Sequence, residues 1–158
     1  MNKPKSLRTA LTQALPEIKQ NPDRLLVFVE NGQLAATQGP NFSFIYHYTL
    51  SVIIIDFSQH TDTIFIPLMV WLRENQPDLL TGEPDGGIGF DAELINNNAT
   101  DLEIKLNLSE TVVVTLENGK LVSRHLAEPL LMDVTGQTGW EMYADGETVQ
   151  QTPIEVIE

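Results

Sequence analysis

The sequence contains no cysteine, which excludes disulfides, thiolate metal sites and cysteine nucleophiles together and fits a reducing compartment. Positive charge is also scarce. Nine Lys and Arg stand against 22 Asp and Glu, a formal charge of −13. The shortage is local: residues 1–80 carry six basic and seven acidic side chains, whereas residues 81–158 carry three and fifteen, a net −12. Affinity for nucleic acid comes mostly from Lys and Arg neutralising phosphates, so this composition argues against a specific nucleic-acid binder. An acidic surface can simply confer solubility, or it can form a wall past which DNA slides without sticking. No apolar run approaches the roughly 18 residues that a membrane helix needs. The basic N-terminus is not followed by the apolar stretch of a signal peptide, so no membrane association is expected and the cytoplasm is the default. At 158 residues, 42% hydrophobic and 20% charged, the chain is expected to fold as one domain over 1–158.

Motifs that carry chemistry are missing too. His47, His60 and His125 share no metal-binding spacing, and no GxSxG nucleophile elbow occurs. The glycines of GEPDGGIGF lack the phosphate-binding spacing and a following helix. Asp101 and Glu103 share one strand face, and Glu83, Asp85 and Asp91 crowd a loop, but neither group has the alternation and central glycine of a calcium loop. Phe42, Phe44, Tyr46 and Tyr48 alternate as a base-stacking platform would, yet without interleaved Lys or Arg they read as a buried core face. No catalytic, cofactor-binding or metal-ligating set is assigned.

What is present is regular patterning. Leu7, Ala10, Leu11, Ala14 and Leu15 mark an amphipathic helix over 4–15, opened by Pro4 and ended by Pro16. Asn31-Gly32 between apolar runs predicts a hairpin that sets Glu30 opposite Gln33 and Val29 opposite Leu34. Residues 42–57 read as a long strand. From 52 to 55 both of its faces turn apolar, as in the middle of a covered sheet. A second helix at about 62–75 aligns Ile64, Leu68, Trp71 and Leu72, with Thr61 or Asp62 as cap. Pro67 must lie in its first turn or kink it. Trp71 is expected to be buried with Leu68 and Leu72 against the strand that holds Ile54. TGEPDGGIGF reads as a flexible loop. Strands follow at 88–94 and 102–108, with hairpins at Asn118-Gly119 and Asp145-Gly146 and a linker over 128–139. The order predicts an α+β fold, a mostly antiparallel sheet with the two helices packed on it.

Several blocks together resemble a known family. WLRENQPD over 71–78, the opening KPKSLRTALTQAL, VFVENGQLAAT, YTLSVIIIDF and the terminal WEMYADGETV resemble the tail completion protein R family of temperate phages with contractile tails. The likeness runs nearly end to end. It implies a structural virion protein of the tail, assembled in the host cytoplasm, that stops tube and sheath growth and prepares the end that meets the head. It implies no catalysis and no cofactor. The implied partners are other copies in a ring, six-fold to match the tube, together with tail tube, sheath and head-completion or connector proteins. In that setting Arg73 and Glu74 are expected to meet a neighbouring subunit. The Asp101/Glu103 face or the 83–91 loop is expected to line the channel, and Lys3, Lys5 and Arg8 to contact acidic partners. Two alternatives remain: a subunit of a phage-tail-like secretion apparatus, and a hydrolase whose acids converge only in the fold.

Overall fold

A computed structural model describes residues 1–36, 41–96, 98–129, 140–144 and 147–152. Pro4 sits in the first turn of α1 (Lys3–Ala14), where its missing N–H removes no helical bond. The stripe Leu7, Leu11 and Ala14 is buried, and Lys3 lies in the same register. Pro16 breaks the helix and opens a short α2 (Pro16–Gln20), which buries Ile18. β1 (Leu25–Ala36), β2 (Phe44–Phe57), β3 (Ile88–Asn96), β4 (Ala99–Glu117) and β5 (Lys120–His125) form one antiparallel sheet, ordered β1-β2-β4-β3 with β5 also on β4. α3 (Asp62–Asn75) packs beside α1 on one face of that sheet. β6 (Trp140–Ala144) and β7 (Glu147–Thr152) pair separately as the expected third hairpin; its Asp145-Gly146 turn lies outside the described residues, as does 130–139 of the expected linker.

The core lies between the helices and one sheet face. Leu50, Val52 and Ile54 of β2 meet Leu102, Ile104, Leu106 and Leu108 of β4 beneath Leu7, Leu11, Leu68 and Leu72. β4 is a single 19-residue strand that pairs β2 along one edge and β3 and then β5 along the other. The Asn107 amide donates to the Gly87 carbonyl and the Leu126 amide to the Thr111 carbonyl. Between these two points Gln76 fills the gap, accepting the Ser109 amide at 3.1 Å.

Five local expectations are corrected. Asn31-Gly32 is not a hairpin: β1 runs straight through it, and Glu30 faces Thr49 while Gln33 faces His47. A type I′ turn needs positive φ at both residues. Only Asn31 has it, at 52°, so the pair makes a one-residue bulge against β2. Asn118-Gly119, with φ of 50° and 75°, is a true two-residue turn between β4 and β5. On the second face of β2 burial is only partial among the described residues: Ser51 is buried, Ile53 half-buried and Ile55 exposed. Phe42 is 69% exposed and lies before the strand, outside the core. Asp91 is on β3, opposite Glu103, and not in the loop. At α3 neither expected cap makes a side-chain cap bond; His60 Nδ1 accepts the Asp62 amide at 3.2 Å. Pro67 lies inside α3, beyond the first turn, where it has no N–H to give the Thr63 carbonyl.

Candidate interaction surfaces

Among the described residues a dense polar group is internal. Along β4 the buried positions run Leu102, Ile104, Leu106, Leu108, and the next in phase is Glu110, 4% exposed. Its carboxylate accepts the Tyr48 hydroxyl at 2.5 Å, the Asn2 amide at 2.7 Å and the Lys3 amide at 3.2 Å. The last two are free N–H groups at the start of α1, whose Asn2 side chain makes no cap bond. A strand carboxylate therefore caps the helix from outside and lies at the positive end of its dipole. Burial alone would raise the carboxyl pKa. The Tyr48 hydrogen bond, the two amides and the nearby N-terminal ammonium outweigh that and hold it below the ordinary carboxylate range. Burial, then the hydrogen bond to Glu110 and its charge, push the Tyr48 phenol well above its usual value. His125 Nδ1 comes within 3.0 Å of Glu110 Oε2 without reaching hydrogen-bond geometry.

Lys3 completes the group. Its buried ammonium donates to Gln76 Oε1 at 2.6 Å, the Ser109 carbonyl at 2.7 Å and Glu128 Oε1 at 2.8 Å. All three ammonium donors are used inside the chain, so Lys3 is not available to an acidic partner as expected; Lys5 and Arg8 remain exposed. The cluster ties α1, the end of α3, β2, β4 and the segment after β5 to one point. The sequence signal for it was an acid in the apolar phase of β4 and a lysine in the apolar phase of α1.

The outward surface is divided. The sheet face away from the helices is partly exposed among the described residues, and its cross-strand rows differ: the row through Phe28 reads Phe28, Ser51, Lys105, Gly89. Another row reads Leu26, Ile53, Glu103, Asp91. A neighbouring pair opposes Asp101 to Glu93, beside Ile55. Leu26 is 38% exposed, Phe28 48% and Ile55 37%. The expected shared face of Asp101 and Glu103 is therefore present, and both side chains are anchored. Asp101 Oδ1 accepts the Asp56 amide at 2.7 Å, holding a bulge where Asp56 has a φ of 52°; that bulge returns Phe57 to the core. Glu103 Oε1 accepts the Ser51 hydroxyl at 2.8 Å and has Lys105 Nζ at 3.5 Å. Arg73 and Glu74 are exposed at the end of α3, far along the chain from these acids and on the helical layer. Glu74 lines a groove with Lys5, Ser6 and Trp71 between α1 and α3. Among the described residues no three His, Asp or Glu side chains are placed to hold a metal ion.

The two layers and the buried cluster all fall within the part of the chain that matches a known family. Residues 1–129 match the family described as P2 phage tail completion protein R (GpR). Tail completion protein R of Escherichia phage P2 is 39% identical over 153 residues, an overlap covering 96% of this chain and 98% of that one. No solved structure matches the chain. On both the span and the identity, the chain belongs to the P2 phage tail completion protein R family.

Proposed function

We propose that the protein completes the phage tail by capping the end of the tube and sheath, as a closed ring that halts growth and presents the end for head joining. The observation that carries this reading is the family match across the whole two-layer body. Six copies would match a six-fold tube, and the contacts would be with tube, sheath and head-completion proteins and with other copies. The role is structural: it needs surfaces that dock and a body rigid enough to hold them, and the buried Glu110–Lys3 cluster supplies that rigidity. The exposed Leu26 and Phe28 beside the acids of the open sheet face favour a protein-covered surface there over a wall facing DNA. Phage particles made without the protein should carry tails of abnormal length or tails that fail to join heads. Normal, head-joined tails in its absence would overturn the proposal.

A further inference from the structure

The open sheet face combines exposed apolar side chains with carboxylates of one sign. Asp91, Glu93, Asp101 and Glu103 lie there with Lys105 as the cation among them. Beyond Lys105 and the more distant Lys120 and Arg124 of the same sheet, a basic strip lies on the other layer. α1 contains no acidic residue at all, and because Leu7, Leu11 and Ala14 are committed to the core, Lys5 and Arg8 are left on its exposed side. One turn further along from each cation, Thr9 and Thr12 bond their hydroxyls back to the helix, to the Lys5 carbonyl at 2.9 Å and the Arg8 carbonyl at 2.8 Å. With the hydroxyls satisfied, the threonines can offer their methyl groups outward. The outer side of α1 is thus basic with small apolar patches, the complement of a face that is acidic with large ones.

We propose that α1 of one copy docks on the open sheet face of a second, with Lys5 and Arg8 toward the β3–β4 acids and the threonine methyls over Leu26 and Phe28. A like-on-like dimer of sheet faces would instead bring two sets of carboxylates together, at a cost in repulsion. The two surfaces lie on opposite layers of the same body, so the contact is head-to-tail and propagates from copy to copy. Closure of that series into a ring rests on the capping reading above; the contact itself does not.

Sedimentation of the full chain across a range of concentration and salt tests the contact. Wild-type protein should associate at low salt and high concentration. Association should weaken as the Debye length shrinks from about 30 Å at 0.01 M to about 8 Å at 0.15 M. Lys5→Glu with Arg8→Glu, and separately Asp91→Lys with Glu93→Lys, should each weaken association about tenfold or more. An equimolar mixture of the two variants should associate again, because each supplies the intact half the other lacks. Phe28→Asp tests the apolar half independently. Circular dichroism of each variant guards against misfolding, and the mixing result stands even if one substitution also lowers stability. A wild type that stays monomeric throughout, an isologous dimer, or variants that associate like the wild type would overturn the proposal. If phage tails still require the protein while the charge-reversed variants complete them normally, this contact fails and the capping role stands.

Discussion

Glu110→Gln isolates what the buried carboxylate contributes. Glutamine keeps the size and shape but offers a single acceptor oxygen. In the native arrangement Oε1 takes the Tyr48 hydroxyl and the Lys3 amide, while Oε2 takes the Asn2 amide. Whichever way the new amide turns, its NH2 group faces a donor that had been satisfied. The loss is one hydrogen bond to a charged group at a buried site, about 1.5–3 kcal/mol. Against a total stability of about 5–15 kcal/mol for an ordinary domain, that is easily measured. The pH dependence supplies a second signature. The folded-state pKa of Glu110 lies below its unfolded value. Its contribution is therefore complete above the unfolded carboxyl pKa of about 4.3 and is lost as pH falls through the folded value. Urea unfolding followed by tryptophan fluorescence should show the full gap between wild type and Glu110→Gln at neutral pH. The gap should close on acidification. A gap below about 0.5 kcal/mol at neutral pH, within the scatter of ordinary surface substitutions, would refute the account. So would one that does not change with acidity.

Trp71→Ala should cost about 3–5 kcal/mol, since the indole is buried between α3 and α1 and its Nε1 donates to Ser6 Oγ at 3.0 Å. Ser6→Ala should cost about 1 kcal/mol by the same unfolding assay. Gly119→Ala should destabilise by about 1–2 kcal/mol because φ there is 75°. Gly32→Ala should be neutral or stabilising by up to about 1 kcal/mol, because its φ is not left-handed and nothing lies within 4 Å of an added Cβ. A hairpin at Asn31-Gly32 would reverse that last result, so thermal unfolding of the two glycine variants decides between bulge and turn.

The regular elements were legible because their signals are local. Period-two alternation from Leu102 to Leu108 sets β4, and the 3.6-residue stripe sets α1 and α3. Trp71 was buried as its phase required. Expectations failed where a second segment of chain decides the outcome. Asn-Gly serves equally as a type I′ turn or as a bulge, and only the pairing of β1 with β2 along its whole length selects the bulge. Hydrophobicity on both sides of 52–55 predicts two-sided burial, yet on the second face Ile53 is only half-buried and Ile55 exposed. The candidate site divides the same way. That Asp101 and Glu103 share a face follows from spacing alone, and the structure adds the apolar half of the rows that cross it. The phase of Lys3 on α1 marks it as inward, but no local signal gives its partners, because Gln76, Ser109 and Glu128 come from remote parts of the chain.

α1 links the interior of the protein to its surface. Lys3 and Lys5 are two residues apart, which turns their side chains about 200° around the helix axis. One is therefore buried in the Glu110 cluster while the other faces outward. The carboxylate grips the first two amides of the helix, and Gln76, Ser109 and Glu128 grip the Lys3 ammonium. Together these contacts fix the rotation of α1 and, with it, the direction in which Lys5 and Arg8 point. If α1 is the surface that docks on the sheet of a second copy, Glu110→Gln should weaken self-association even at neutral pH and without urea, where the variant is still folded. The weakening should exceed that from Ser6→Ala, which removes one contact along the same helix but leaves its start held. Sedimentation of the two variants beside the wild type makes the comparison directly. Equal association of all three would mean that the inner clamp does not set the outer surface, and that α1 is not the docking element.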